Sequence, residues 1–309
     1  MLVMPFKLNK KLSKMNQYRL IFLTMVLLMS FGAVTAQNET RKEQEFSVYG
    51  KGIFNSLVYD LTEGVNRDNG YGAGFGFQYA MYLNSRWSVS AGLEYQQYRS
   101  EALFTDFSYY YGTTDAEGTD FDFYSSANNY KEKQWVDMIN IPIMFRYETP
   151  TPWTNAFIYG TAGFQLGIPV TSKYRTTAEN LETSGYFQQW DVTLNNPAFA
   201  GFGSWGTVES DKQKLDIRNS YSLLLEVGFK QQLNEKRNLY VGFYADLGLN
   251  SLAKESSPSS ALIKYDADNS TEFKFNPLFY SAPQAQGEAY ETRPKTRGFG
   301  IKIQYAFKL

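Results

Sequence analysis

The segment G298-F-G-I-K-I-Q-Y-A-F-K-L309 decides the fold. Its alternate residues Phe299, Ile301, Ile303, Tyr305, Phe307 and Leu309 are apolar, and the intervening Gly298, Gly300, Lys302, Gln304, Ala306 and Lys308 are small or polar. Strand side chains point alternately to opposite faces, so this is one strand with an oily face and a wet one. Chain ends ordinarily fray. A strand this regular, running to Leu309, is expected to be held by pairing on both edges.

The pattern recurs upstream. In Y71-G-A-G-F-G-F-Q-Y-A-M-Y-L83 the residues Tyr71, Phe75, Phe77, Tyr79, Met81 and Leu83 share one face, opposite Gly72, Gly74, Gly76, Gln78, Ala80 and Tyr82. A tight N84-S-R86 turn leads into W87-S-V-S-A-G-L-E-Y95, which reads as the second arm of a hairpin. Two more pairs follow: I139–Y147 with A156–I168, and Y221–L233 with L239–L249. With F46-S-V-Y-G-K-G-I-F54 the total is eight strands, each expected to run for roughly 9–15 residues, near the length a tilted membrane-spanning strand needs.

Short turns near 84–86, 149–155 and 234–238 alternate with long segments near 55–70, 100–134, 170–214 and 253–294. Several structureless loops of that length are foreign to an ordinary compact domain. They fit an outer-membrane barrel with an even strand number, short periplasmic turns and long extracellular loops. An eight-stranded soluble barrel has an interior just wide enough for modest side chains, and the apolar face of all these strands would overfill it. The expected fold is therefore an all-β, eight-stranded, antiparallel, up-and-down transmembrane barrel with its apolar face toward lipid. An open edge in lipid leaves backbone groups unsatisfied, so the last strand is expected to pair with the first.

Composition narrows the chemistry. The chain has 309 residues, 17% aromatic, with 24 Tyr, 24 Phe and 24 Gly. It contains neither Cys nor His. Disulfides, thiolate metal sites, a Ser-His-Asp triad and imidazole acid/base chemistry are excluded together. At the start, Lys7, Lys10, Lys11, Lys14 and Arg19 precede an apolar run from Leu20 to Met29 and the sequence S30-F-G-A-V-T-A-Q37. This reads as a secretory signal over 1–36, cleaved between Ala36 and Gln37. Met15 would begin a signal of more ordinary length, which leaves open whether residues 1–14 are translated. A short segment, 37–44, then precedes a barrel domain over 45–309. Removing the five basic residues of the signal leaves 25 Lys+Arg against 31 Asp+Glu, a net charge of −6. No nucleic acid is expected as a partner. Nothing follows Leu309, so no peptidoglycan-binding domain is expected.

The strands I139-N-I-P-I143, Y159-G-T-A-G-F164, E226-V-G-F229 and Y244-A-D-L-G-L249 resemble those of the small outer-membrane β-barrel family of Gram-negative bacteria, in the style of PorT-like and OmpA/OmpX-like barrels. The resemblance covers most of 45–309 and implies localisation in the bacterial outer membrane, with outer-membrane lipid as surroundings. The ending, through Tyr305, Phe307 and Leu309, resembles the β-signal by which outer-membrane assembly machinery recognises its clients, with Leu in place of the commoner terminal Phe. The resemblance transfers no catalytic residue.

Four groups of residues invite a chemical reading. Y71-G-A-G-F-G76 has glycines at a strict period of two, unlike a dinucleotide fingerprint, and is expected to make room on the inner face. D115-A-E-G-T-D-F-D122 is rich in carboxylates at a loop tip but misses the calcium-loop spacing, which leaves calcium open. F104–G112 and F121–Y124 read as a hairpin with aromatic cross-strand pairs, or else as an aromatic platform, and W190–W205 offers the same choice. Glu94, Arg146, Glu226, Lys230, Asp246 and Lys302 lie on the wet face and are expected to pair as an interior charge network. No cofactor and no metal is expected. The function that fits is non-enzymatic: a structural or partner-binding barrel of the envelope, with loops 100–134 and 170–214 as its contact surfaces. The alternative is a narrow channel for small solutes.

Overall fold

The structure is a computed structural model and describes residues 43–59, 65–254, 261–280 and 292–309. The expected signal peptide, its Ala36/Gln37 cleavage site and residues 37–42 lie outside the described residues. Eight long strands form a closed ring: β1 (Gln44–Val58), β2 (Tyr71–Tyr82), β3 (Trp87–Thr114), β4 (Asp120–Pro150), β5 (Ala156–Phe187), β6 (Ser220–Asn234), β7 (Arg237–Gly248) and β8 (Lys295–Lys308). Each pairs antiparallel with its neighbours in sequence, and β8 returns to β1. The protein is an eight-stranded, up-and-down antiparallel β-barrel.

The closing seam is continuous. Phe46 faces Phe307, Val48 faces Tyr305 and Lys51 faces Lys302. The Leu309 N–H donates to the Gln44 carbonyl at 2.9 Å, so the opening segment is paired on both edges as its alternation requires. Every strand of the ring thus pairs along both edges within the protein, the condition for a sheet surrounded by hydrocarbon.

Burial follows the period-two pattern. Phe164, Phe243, Phe75, Ile303 and Val227 stand exposed on the outside, with Phe243 at 67% and Phe164 at 66%. Apolar side chains that open to the surroundings around a whole ring cannot be a water-facing surface at their usual cost, since exposed apolar patches on soluble monomers stay small. Aromatic pairs mark both ends of the band: Trp87 against Tyr147 (4.9 Å) and Trp153 against Phe229 (6.1 Å) at the short-turn end, and Phe54 against Tyr71 (5.6 Å) at the other. Aromatic girdles of this kind flank the apolar band of transmembrane barrels.

Two expectations are corrected. The strands are not uniformly 9–15 residues: β3 has 28, β4 has 31 and β5 has 32. The segments 100–134 and 170–187 are therefore strand rather than loop, and they rise beyond the band as one sheet. Val65–Asn69 pairs with β3 on one edge, and Val192–Leu194, Gly203–Glu209 and Gln213–Lys214 pair with β5 on the other. What the alternation could not show is the partner of this sheet. Its inner face carries Phe104, Phe107, Phe123, Tyr130 and Leu181, and these pack on Phe202, Leu215, Leu252, Leu262 and Phe279 from residues 188–219, 249–254 and 261–280. The long segments fold into a cap with its own hydrophobic core above the barrel mouth.

The cap bends at one level across three strands. Pairing passes from Thr105↔Asn129 to Phe107↔Ala127, and from Asn129↔Glu179 to Ser126↔Glu182, so one residue of each strand is skipped between β3 and β4 and two of each between β4 and β5. Asp106 (φ 53°) and Asn180 (φ 52°) occupy the left-handed conformation there, one that Asp and Asn tolerate better than most residues. The pairing register is the same above and below this level, so the unpaired residues shift the alternation of all three strands together. The inward series accordingly changes from Ala102 and Phe104 to Phe107 and Tyr109.

Candidate functional site: a sealed lumen beneath a folded cap

The wet faces of the eight strands meet inside the ring. Glu94, Arg146, Glu226, Lys230, Asp246 and Lys302 are all buried there. The structure brings one pair of the six into direct contact: Lys302 Nζ lies 2.9 Å from Glu226 Oε2. The other partners are residues that sequence reasoning did not single out. Lys51 Nζ sits 2.8 Å from Glu94 Oε1, and Lys230 Nζ sits 2.7 Å from Glu148 Oε2 and 3.7 Å from Glu45 Oε1. Arg146 is 3.7 Å from Glu148 and donates to Gln304 Oε1 at 3.3 Å. Lys51 was legible in principle, since it shares its parity with Ser47 and Tyr49. Glu45 and Glu148 stand beside chain turns, where alternation alone reads as solvent.

A second set went unremarked, although the alternation already places Tyr82 on the inner face. Each of the five interior carboxylates receives a tyrosine hydroxyl: Tyr240 donates to Glu45 (2.7 Å), Tyr49 to Glu94 (2.9 Å), Tyr82 to Glu148 (2.9 Å), Tyr159 to Glu226 (2.6 Å) and Tyr98 to Asp246 (2.9 Å). The rings also face the cations. The Arg146 guanidinium lies 4.4 Å from the Tyr240 ring centre and 5.1 Å from that of Tyr159, and Lys302 Nζ lies 4.3 Å from Tyr49. A phenol suits this interior because its body fills space while its tip satisfies a charge. Aromatic rings are thus not confined to the outer face, and Phe157 also reaches inward, its ring centre 5.5 Å from Lys230 Nζ.

Small residues make the room. A side-chain carbon added at Gly76 would lie 2.7 Å from the Tyr49 ring, and one at Gly74 would lie 3.4 Å from the Lys51 stem. The Y71–G76 glycines thus seat Tyr49 and Lys51. Amides complete the packing: Asn140 Nδ2 donates to Glu94 and to Gln96 (2.9 Å each), Tyr244 donates to Asn55 (2.9 Å), and Gln78 bonds Ser90. The free space left between Lys51, Glu94, Glu226 and Lys302 is ≈ 20 Å³. That is about the room one water requires. The lumen is a packed polar core.

The remaining candidates lie in the cap. Tyr110 stacks on Tyr124 at 5.0 Å across the β3–β4 hairpin, as cross-strand pairing predicts. Asp115 turns its carboxylate to the backbone of its own loop, accepting from the Glu117 and Thr119 N–H groups (3.0 and 2.8 Å). Among the described residues no three acidic side chains converge as a metal site. Within W190–W205, Phe202 joins the core and Trp205 packs on Phe273 (5.0 Å), whereas Trp190 and Phe199 stay exposed. Glu132 is the cap's buried carboxylate. It accepts from Gln134 Nε2 (2.7 Å) and from the Leu278 N–H (2.9 Å), and burial pushes it up to about 7. Tyr305, Phe307 and Leu309 lie on the outer face of β8, with the Tyr305 and Phe307 rings 5.0 Å apart.

No protein-family model matches the sequence, and no curated protein is similar to it at a significant level. Among solved structures, similarity is found to the N-terminal β-barrel domain of Pseudomonas aeruginosa OprF (9% identity, 88% of this chain and 100% of that one, TM-score 0.32). It extends to the outer membrane protein OprG from Pseudomonas aeruginosa (11%, 87% and 97%, TM-score 0.35). It also extends to Ail, the attachment invasion locus protein of Yersinia pestis, in complex with the heparin analogue sucrose octasulfate (10%, 87% and 100%, TM-score 0.29). TM-scores this low carry no inference; the barrel's closure, its apolar band and its packed lumen do.

Proposed function

We propose that the protein is a non-enzymatic barrel of the bacterial outer membrane whose sealed lumen is a scaffold and whose cap binds a partner in the envelope. One observation carries this reading: three strands of 28–32 residues rise past the apolar band and support a folded unit with its own core. Strand that merely spans needs about 9–11 residues. The surplus backbone is ordered at an entropic cost that an unconstrained loop would not carry. Residues 100–134 and 170–214 form the two outer walls of that unit and are its contact surfaces.

The same reading includes export by the signal at 1–36 and recognition of Tyr305, Phe307 and Leu309 by assembly machinery. These three side chains stand on the outside of β8, where a templating strand edge or a lipid-side groove reaches them before the ring closes.

The test is gentle detergent purification from native membranes, with the wild type beside a variant in which 105–127 is replaced by a two-residue turn. A stoichiometric companion that is lost in the shortened protein supports the proposal. A companion retained by both, or none with either, overturns it. The channel alternative has its own test in planar bilayers. With only ≈ 20 Å³ free between Lys51, Glu94, Glu226 and Lys302 and with paired charges around it, the expected record is silent.

A further inference from the structure

Charge is segregated along the barrel axis of this protein. At the upper edge of the apolar band, residues 99–101, 131–137, 173–175, 209–218, 254 and 293–297 hold twelve Lys or Arg against six Asp or Glu, one of which, Glu132, points inward. Higher in the cap, residues 105–130 hold five Asp or Glu and no Lys or Arg, and residues 176–208 hold three and none. A net charge near zero for the whole chain therefore hides a basic belt below an acidic crown.

The belt is built by register. Arg99 pairs with Trp135, Trp135 with Lys173, and Lys173 with Lys214, so these four outward side chains form one row across adjacent strands. The row above it runs from Glu101 to Lys133 to Arg175. Trp135 is the aromatic of the row, and Lys212 Nζ lies 4.7 Å from its ring centre. On the opposite wall, Arg297 and Lys295 follow directly above the lipid-facing Phe299 and point outward. Some of these charges are used within the protein: Arg99 pairs with Asp137 (2.8 Å), Arg175 with Glu209 (2.7 Å) and Lys214 with Asp216 (3.0 Å). Lys173, Lys212, Lys295 and Arg297 are exposed and form no ion pair among the described residues.

We infer that this belt binds the phosphate groups of anionic lipid headgroups in the surrounding leaflet. The inference rests on the membrane reading above and adds the chemistry of the lipid. An amphipathic Trp beside a ring of cations, directly above an apolar band, meets the headgroup level of a bilayer. Exposed cations there gain from phosphate, while the acidic crown is repelled by the same layer and stays clear of it. Together the two zones fix the depth and direction of the barrel. A soluble polyanion is the competing occupant, but the belt is interrupted by acids and wraps the barrel wall, whereas a lipid annulus reaches every part of it.

The test uses the full-length protein purified in neutral detergent and offered equimolar phosphatidylcholine and phosphatidylglycerol, with bound lipid counted by native mass spectrometry. The comparison is a variant carrying Lys173→Gln, Lys212→Gln, Lys295→Gln and Arg297→Gln, whose side chains are exposed and outside the lumen and the cap core. Wild type is expected to retain phosphatidylglycerol about tenfold over phosphatidylcholine, the equivalent of one or two surface cations, and the variant to lose most of that preference. High salt is expected to erase it as well, since the Debye length shrinks to about 3 Å at 1 M. Equal retention of both lipids by wild type, or an unchanged preference in the variant, overturns the inference. So does loss of the preference when a soluble sulfated polysaccharide is added. A chain that stays monomeric and soluble without detergent would instead remove the membrane reading itself, so the two failures are distinct.

Discussion

Arg146 shows how much one side chain can carry inside the barrel. It is 1% exposed, stacks between Tyr159 and Tyr240, and shares Glu148 with Lys230. Removing one member of a buried charge pair leaves the other uncompensated, typically at a cost of about 3–5 kcal/mol. Arg146→Leu is therefore expected to lower the urea midpoint of the refolded barrel, read by the heat-dependent gel shift of folded protein. A well-packed apolar replacement of the whole group would cost less, so a larger loss in Arg146→Leu than in a variant with Arg146, Lys230, Glu45 and Glu148 all replaced by apolar residues identifies uncompensated charge as the cause. Glu132 carries a different consequence. It has no cation partner among the described residues, and burial holds it near pH 7, above the ordinary carboxylate range. A group raised in the folded state stabilises it fully below the unfolded value and loses that contribution as pH rises through about 7. The cap is expected to be more resistant to proteolysis at about pH 6 than at about pH 8, by about 1 kcal/mol, the rest of the loss having accrued between about pH 4.5 and pH 6. Glu132→Gln keeps an acceptor for the Leu278 N–H and should flatten the pH dependence; an unaltered slope would assign it to another group.

At the scale of the element, an aligned break in pairing distinguishes the cap from a simple continuation of the barrel. The skipped positions fall at 106, at 127–128 and at 180–181, where the sheet bends and the inward series changes parity. Asp106 at φ 53° has a backbone conformation that a β-branched side chain opposes. Asp106→Val is expected to cost about 1–3 kcal/mol. The loss should appear as faster cleavage within 100–134 while strands β6–β8 keep their hydrogen-exchange protection. Equal loss of protection in both would mean that cap and barrel unfold as one unit. The break was visible as a spacing fault, with Phe104 and Phe107 three apart and Ala178 and Leu181 likewise, in strands otherwise alternating by two. A spacing of three is also what an ordinary loop shows. Only the pairing across three strands identifies it as a bend.

For the whole molecule, closure and plugging act together. The ring leaves no edge in the hydrocarbon, and the interior exchanges every carboxylate's hydration for a tyrosine hydroxyl, with lysine or arginine beside most of them. Such an interior suits a rigid support better than a passage. Converting Lys302 and Glu226 together to Ala is expected to open the lumen where the free space now lies, and to produce conductance that the wild type lacks. If the double variant is also silent, the remaining tyrosines and amides suffice to seal it.

The alternation of small and apolar residues determined the barrel, its strand number and the face that meets lipid, because each strand's pattern is a local property with a period of two. The six interior charges were legible for the same reason. The partners of those charges were not: Glu45 and Glu148 lie next to turns, and which strand stands across the lumen depends on ring closure. The cap was hidden more deeply. Its strands alternate like the membrane strands below them, so sequence could place aromatic pairs on the hairpin but not show that Leu252 and residues 261–280, far along the chain, return to cover them. Burying those apolar faces against each other is a long-range event, and it is the tertiary structure that decided it.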